Sequence, residues 1–213
     1  MKRYGKHHVQ YSATPRFAYP SGATLRMTLT AMILTGGASR RMGSDKALLK
    51  LESEFLWQRQ LRIVQALKPE HTWVSARQVP NWRPANVEVV LDQQPSRGPL
   101  SGLVAGLERL RTSHLLALAI DLPAISSEHL LKLWQTAQPG SGVVPFNGQY
   151  FEPLCAVYPG EAGSCAIAAL QKGEHSLQTM VRSMVDNGLA KVYGLTREEK
   201  LLYRNVNEPA DLG

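Results

Sequence analysis

The chain has little of what would place it among secreted, metal-cluster or membrane proteins. Only two of its 213 residues are cysteines, Cys155 and Cys165, and they lack the C-x-x-C spacing of a zinc or redox motif. This favours a reduced, cytoplasmic protein over a disulfide scaffold. No apolar run approaches the roughly 18 to 20 residues that a membrane-spanning helix needs, and LLALAI has only the length of a strand. We therefore expect a cytoplasmic protein that makes no use of a membrane.

Acidic residues are absent from the first thirty positions, and this absence explains most of the basic charge. Five of the seven net positive charges come from residues 1–30, so the rest of the chain is close to neutral. A basic arm can bind nucleic acid and its composition overlaps with that of transit peptides, but a solvated, poorly ordered leader is the favoured explanation. We expect a basic, disordered leader at 1–26, a single domain at 27–213 and no nucleic-acid partner; Met27 is a candidate start of the working chain.

Apolar runs of strand length alternate with segments of helical periodicity along the rest of the chain. Strands are predicted at 30–36, 71–76, 87–92, 114–123, 141–146, 150–158 and 189–195, and helices at 55–67, from Pro99 to about 110, at 126–137, 160–173 and 176–188, with a turn and short helix at 205–213. Such alternation predicts an α/β protein, a three-layer α/β/α sandwich with a mostly parallel sheet. Ligands of these sheets bind beyond the carboxyl ends of the strands.

The first strand leads into a loop that combines flexibility with positive charge. Its glycines allow successive backbone N–H groups to point into one concavity, which can bind phosphate, and its cations add full charges. The spacing is neither that of a P-loop nor that of a dinucleotide-binding fingerprint. The residues concerned are Gly36, Gly37, Gly43, Arg40, Arg41 and Lys46.

Two further predicted strands end in carboxylates, Asp92 and Asp121. Each alone could serve as a turn or cap residue, but opposite a cationic loop they suit a divalent ion, since Mg²⁺ takes one or two carboxylates together with substrate oxygens. The chain lacks a G-x-S-x-G nucleophile elbow and an H-E-x-x-H zinc pair. Cations, one metal and no protein nucleophile fit nucleotidyl transfer from a triphosphate to an attacking phosphate.

The segment LTGGASRRMGSDKALL resembles the signature L-x-G-G-x-S-x-R-M-G-x-D-K-x-L-L of the molybdenum cofactor guanylyltransferases, or molybdopterin-guanine dinucleotide synthases. The resemblance extends to DQQPSRGPLSGLVAGL, IDLP, EPLCAVY and NVNEPADL, and so covers nearly everything from Met32 to Leu212. It implies a Rossmann-like nucleotidyltransferase fold and a Mg²⁺-dependent reaction in which GTP and molybdenum-molybdopterin give the guanine dinucleotide cofactor and pyrophosphate. The basic leader is not part of the family pattern.

The resemblance also implies roles for individual residues. Arg41, Lys46 and Asp121 would be catalytic: Arg41 would stabilise the leaving pyrophosphate, Lys46 would contact the phosphates and Asp121 would bind the metal. Asp92 would hold the nucleoside and Ser75 the base. The full GTP-binding set is Leu34, Thr35, Gly36, Gly37, Lys46, Ser75, Asp92 and Asp121, and the molybdopterin side is Gly98, Asn205 and Asn207.

Alternative functions share parts of this pattern. A cytidylyltransferase acting on the same pterin, or a sugar- or polyol-phosphate nucleotidyltransferase, would keep the phosphate loop and the metal site and change only the substrates. A non-catalytic nucleotide-binding or docking module would be expected to lose Lys46 or Asp121, and both are present. If the chain is a guanylyltransferase, we expect GTP and molybdenum-molybdopterin as its partners. We also expect transient contacts with proteins that deliver molybdopterin or receive the product.

Overall fold

The computed structural model describes residues 26–35, 45–92, 98–173 and 176–206. Their strands form a seven-stranded sheet with the order β5-β4-β1-β6-β8-β7-β9 and a separate hairpin of β2 and β3. The strands are β1 (Leu29–Leu34), β2 (Lys50–Leu51), β3 (Glu54–Phe55), β4 (His71–Ala76), β5 (Glu88–Leu91), β6 (His114–Ala119), β7 (Gly142–Phe146), β8 (Cys155–Pro159) and β9 (Ala190–Gly194).

Five α-helices occur in the described part of the chain, close to their predicted positions. Ser126 caps one of them by accepting a hydrogen bond from the backbone N–H of His129 at 3.2 Å, and Ser176 caps another through Thr179 at 3.3 Å. The helices are α1 (Leu56–Gln65), α2 (Pro99–Arg109), α3 (Ser127–Thr136), α4 (Ala162–Gln171) and α5 (Leu177–Asp186), with 3-10 helices at Lys46–Leu48 and Glu199–Tyr203.

The sheet separates two apolar layers, as the three-layer prediction requires. Successive residues of β1 point to opposite faces: Ile33 packs in the layer that contains α1 and α3, whereas Met32 packs in the layer that contains α2, α4 and α5. All six residues of β1 are buried, which is the pattern of a central strand covered on both sides. The fold class predicted from the sequence is confirmed.

Chain direction decides which strand ends can meet. β1 pairs in parallel with both β4 and β6, and β4 pairs in parallel with β5, so these four strands have their carboxyl ends at one edge of the sheet. The chain moves outward from β1 to β5 on one side and then crosses through α2 to β6 on the other. The strand order therefore reverses between β1 and β6, where an α/β sheet places its ligand.

Two strand predictions were only partly right. The segment 114–123 was predicted as one strand, but β6 ends at Ala119 and a turn follows. The segment 150–158 was also predicted as one strand, but β8 begins at Cys155 and runs antiparallel to β6. Phe151 forms only an isolated bridge with Phe146, and Pro153 has no N–H to donate to a ladder. The hairpin of β2 and β3 was not predicted, and the predicted leader and final turn fall almost entirely outside the described residues. None of the described helices has the length and apolar content to span a bilayer.

Candidate active site

The residues that follow the four parallel strands lie at one edge of the sheet. Thr35 donates its backbone N–H to the carbonyl of Ser75 at 3.0 Å, and its hydroxyl donates to the same oxygen at 2.8 Å. Asp92 donates its backbone N–H to the Ala76 carbonyl at 3.0 Å. The ladder thus continues past the last strand residues, and it fixes the backbone of three of the predicted binding residues, Thr35, Ser75 and Asp92.

The two predicted catalytic residues that the structure describes are in direct contact. Lys46 Nζ donates to Asp121 Oδ2 at 3.1 Å, although the residues are far apart in sequence, and both side chains remain accessible at 18% and 23% exposure. Lys46 opens a 3-10 helix that Asp45 caps by accepting from the N–H of Ala47 at 3.0 Å. Asp45 also accepts from Trp82 Nε1 at 2.8 Å. Because the ion pair can be reached from solvent, a phosphate can approach the ammonium group and a metal ion the carboxylate.

A buried glutamine that sequence reasoning missed holds the turn that carries Asp121. Gln60 of α1 is fully buried, and its Nε2 donates to the carbonyl of Leu122 at 2.9 Å, with longer contacts to the carbonyls of Ala119 and Ile120 at 3.5 and 3.4 Å. A polar residue on the apolar face of an amphipathic helix was the available signal, since a buried amide needs partners. Gln60 therefore fixes the backbone on both sides of Asp121.

The predicted nucleoside contacts form a second pair, on the β4–β5 side of the site. Ser75 Oγ donates to Asp92 Oδ1 at 2.9 Å, and the two residues are only 1% and 6% exposed. Gly102 of α2 packs directly on this pair: a Cβ there would overlap with Ser75 Oγ and lie 3.0 Å from Asp92 Oδ1 and 3.2 Å from Leu34 Cδ2. The helix can approach the pair this closely only because position 102 has no side chain.

The segment after the last 3-10 helix brings Asn205 to the edge where Asp121 lies. Val206 donates its backbone N–H to the Asp121 carbonyl at 2.9 Å, so the neighbouring Asn205 lies beside the predicted metal ligand. Tyr203 anchors this segment through a hydrogen bond of 2.7 Å between its hydroxyl and His129 Nε2. Asn205 itself is exposed.

The anchor of this segment is a buried polar network. Burial lowers the pKa of His129, although the nearby carboxylate of Glu199, whose Oε1 lies 3.6 Å from His129 Nδ1, opposes the shift. Burial also raises the pKa of Tyr203 and raises that of the adjacent Cys155 thiol to about 12. A neutral imidazole, a neutral phenol and an unreactive thiol result, so the network is structural and offers no nucleophile.

The remaining predicted site residues are placed only in part. Gly98 precedes α2 with a φ of 81°, which favours glycine. It begins the helix whose Gly102 contacts Ser75 and Asp92, on the opposite face of the sheet from the layer in which Tyr203 packs. The predictions for Gly36, Gly37, Arg41 and Asn207, and for Arg40 and Gly43, fall outside the described residues.

The donor set at Asp121 fits a magnesium ion that binds together with its substrate. No group of three or more His, Cys, Asp or Glu residues within metal-binding reach occurs among the residues that the structure describes. One carboxylate with access to solvent matches the coordination of Mg²⁺ by one or two protein carboxylates, water and phosphate oxygens. A preformed protein cage, by contrast, would need further carboxylates around Asp121.

The sequence of this chain matches a known protein family. The family model described as "MobA-like NTP transferase domain" matches residues 31–188. A curated relative from Opitutus terrae, named "Probable molybdenum cofactor guanylyltransferase", is 36% identical over 186 residues, which are 86% of this chain and 92% of the relative.

Solved structures with the same fold include proteins of different nucleotide specificity. Molybdopterin-guanine dinucleotide biosynthesis protein A from Archaeoglobus fulgidus aligns with a TM-score of 0.64 at 23% identity, over 86% of this chain and 94% of that protein. The 2-C-methyl-D-erythritol 4-phosphate cytidylyltransferase of Thermus thermophilus also aligns with a TM-score of 0.64, at 12% identity, over 87% and 96% of the two chains. The fold is thus that of the nucleotidyltransferases, and it does not by itself select the nucleotide.

Proposed function

The chain belongs to the molybdenum cofactor guanylyltransferases, within the MobA-like NTP transferase family, and from this premise we propose that it transfers GMP from GTP to molybdenum-molybdopterin. The products are the molybdopterin guanine dinucleotide cofactor and pyrophosphate. The observation that carries the proposal is the contact of 3.1 Å between Lys46 and Asp121 at the point where the strand order reverses. A cation and a carboxylate at that position suit a triphosphate and its metal ion.

The chemistry is a displacement at phosphorus. An oxygen of the molybdopterin phosphate attacks the α-phosphorus of GTP, a new P–O bond forms, and the bond to the oxygen that bridges to the β-phosphorus breaks, so that pyrophosphate leaves. Lys46 neutralises charge on the phosphates as it develops, and Asp121 would hold a magnesium ion. When bound, this ion would supply Lewis acidity. Catalysis rests on alignment and fixed charge, without a covalent enzyme intermediate.

The remaining residues orient the substrates. The pair formed by Ser75 and Asp92 receives the nucleoside on the β4–β5 side, while Asn205 faces the pterin substrate on the other side of Asp121. Arg41, Gly36 and Gly37 of the glycine-rich loop, together with Leu34 and Thr35 at the end of β1, complete the nucleotide site in this proposal. Asn207 completes the molybdopterin side, to which the sequence prediction also assigns Gly98, although α2, which Gly98 precedes, packs on the pair of Ser75 and Asp92.

Sequence similarity to a named guanylyltransferase is what favours GTP, because the fold is shared with a cytidylyltransferase. The test is pyrophosphate release from GTP, CTP, ATP and UTP by the purified chain with Mg²⁺ and molybdenum-molybdopterin. We expect release from GTP to be much the fastest. Equal rates, or a preference for CTP, would overturn the guanylyl assignment, and omission of the pterin substrate is the control.

The cellular setting is also part of the proposal. Both cysteines are free thiols, and Cys155 is buried, which supports a reducing compartment such as the cytoplasm. A product that must reach molybdoenzymes supports transient contacts with the proteins that deliver molybdopterin and with those that receive the dinucleotide.

A further inference from the structure

A carboxylate that the transfer chemistry does not use lies at the same edge of the sheet as Asp121. Glu152 is in the connection between β7 and β8, and its backbone N–H donates to the carbonyl of Pro145 in β7 at 2.8 Å. It follows the carboxyl end of β7 and precedes β8, which runs antiparallel to β6. Glu152 is only partly buried, so its carboxylate is accessible to a ligand.

Asn147 fixes the orientation of this carboxylate. Its Nδ2 donates to Glu152 Oε1 at 2.8 Å. The amide is itself held, because its Oδ1 accepts from the backbone N–H groups of Gln149 and Tyr150, each at 2.9 Å. Oε1 of Glu152 therefore has a rigid neutral partner, which fixes the orientation of the carboxylate, and each of its oxygens keeps a lone pair for a ligand.

The surroundings of Glu152 are unusual for a carboxylate. Burial raises the pKa of Glu152, and the hydrogen bond from Asn147 opposes the shift only in part. Among the residues that the structure describes, no cation forms an ion pair with it and Oε2 accepts no hydrogen bond. Lys200 reaches the same connection, where its Nζ lies 3.6 Å from the position of a Cβ on Gly148. A partly dehydrated carboxylate with an unused oxygen gains strongly from a ligand that donates N–H groups to it.

The position of Glu152 relates it to the acceptor substrate. β6, β8 and β7 are consecutive in the sheet, so the connection lies about 10 Å from the end of β6, at ~4.8 Å for each strand spacing. The segment from Tyr203 to Val206 connects Glu152 with Asp121: the charge of the Glu152 carboxylate contributes to the raised pKa of Tyr203, and Val206 donates its backbone N–H to the Asp121 carbonyl. The nucleoside pair on β4 and β5 lies on the opposite side of β1. Glu152 is therefore on the side where the attacking phosphate enters.

We propose that Glu152, held by Asn147, binds the 2-aminopyrimidinone edge of the pterin substrate. This proposal rests on the proposed function. The edge presents an amino group and a neighbouring ring N–H, which can donate to the two oxygens of a carboxylate in parallel. The fused rings of molybdopterin separate this edge from the attacking phosphate. One substrate molecule can therefore place its phosphate near Asp121 and its pterin edge near Glu152. Glu152 thereby selects a pterin over other phosphate-bearing acceptors.

The test compares Glu152→Gln with the wild-type chain. We expect the KM for molybdenum-molybdopterin to rise roughly 10- to 100-fold, the range for loss of a hydrogen-bonding partner to a charged group, while the KM for GTP is unchanged. A partial loss of folding would lower the apparent kcat, because less active chain is present, and would leave both KM values unchanged. Glu70→Gln, the same substitution at an exposed residue before β4 and at the opposite edge of the sheet, is the matched control and should change neither KM.

A binding measurement independent of turnover uses neopterin monophosphate and a matched lumazine phosphate, in which oxygen replaces the 2-amino group. We expect the wild-type chain to bind the pterin at least about tenfold more tightly than the lumazine, and Glu152→Gln to lose this preference. Asn147→Ala, which frees the carboxylate without removing it, should weaken pterin binding in the same direction and remains informative if the Glu152 variant fails to fold.

The outcomes separate this proposal from the proposed function. If the wild-type chain does not release pyrophosphate from GTP and molybdenum-molybdopterin, the proposed function fails. If it does, and the Glu152→Gln variant keeps both the wild-type KM for the pterin substrate and the preference over lumazine, the assignment of Glu152 is wrong while the guanylyltransferase activity stands.

Discussion

Replacement of Gly102 by alanine tests whether the pair formed by Ser75 and Asp92 is the nucleoside site. The new Cβ would overlap with Ser75 Oγ, a short side chain in a buried strand end that can move only by rotating away from Asp92. Overpacking costs about 1–3 kcal/mol, and losing a hydrogen bond to a carboxylate costs a similar amount. Alanine recovers about 1 kcal/mol through its helix propensity. We expect a net destabilisation of about 3 kcal/mol.

Gly106, one turn later in the same helix, provides the matched control. A Cβ there would lie 2.6 Å from Met32 Cε and 2.7 Å from its Sδ, the flexible end of a long side chain that can reorient. The gain in helix propensity then offsets the repacking, and Gly106→Ala should be close to neutral in stability.

The assay is urea unfolding together with steady-state kinetics of both variants. Gly102→Ala should lower the urea midpoint and raise the KM for GTP about tenfold, equivalent to about 1.4 kcal/mol of lost binding, while the KM for the pterin substrate stays the same. Gly106→Ala should leave both KM values unchanged. If the two variants have equal KM values for GTP, the nucleoside does not contact the pair of Ser75 and Asp92 and this part of the mechanism is wrong.

Three further predictions follow from the same contacts. Lys46→Ala and Asp121→Ala should each reduce pyrophosphate release by roughly 10²-fold or more, as loss of a fixed charge stabiliser does, and wild-type rates in either variant would place the chemistry elsewhere. Gln60→Leu should lower the free energy of unfolding by about 1–3 kcal/mol and reduce kcat, because buried carbonyls lose their donor; unchanged urea midpoints would contradict this. Because the pKa of His129 is lowered in the folded chain, the unfolded chain binds a proton more readily as the pH falls. The free energy of unfolding should therefore decrease as the pH drops below about 6.5. The His129→Gln variant should show a smaller decrease between pH 7.5 and 5.5.

The local features of the site were readable in the sequence because they depend on neighbours along the chain. LLALAI predicted a central strand, since only a strand covered on both faces has no polar positions. The carboxylates after two strands, and Lys46 after the glycine-rich loop, predicted which chemical groups would meet at a sheet edge. Strand 150–158 was overextended because Phe151 and Leu154 continue the apolar pattern, whereas Pro153 and the hydrogen bond from Glu152 to Pro145 interrupt the ladder.

The contacts that orient the site residues could not be predicted from the sequence, because they join residues that only the fold brings together. Gln60 looked like an ordinary helix residue, and its partners lie 62 residues away at the turn of Asp121. In the same way, Ser75 pairs with Asp92 only because β4 and β5 are adjacent, and Asn205 approaches Asp121 only because Val206 hydrogen bonds to that turn.

The sequence by itself thus determined the chemical groups, the alternation of strands and helices, and the edge of the sheet where a ligand is predicted to bind, because periodicity and strand ends are properties of short segments. Only the tertiary structure decided which groups touch: the ion pair of Lys46 and Asp121, the buried support from Gln60, and the place of Glu152 beyond β7. Strand order and helix packing set these contacts, and both depend on how the whole chain buries its apolar surface.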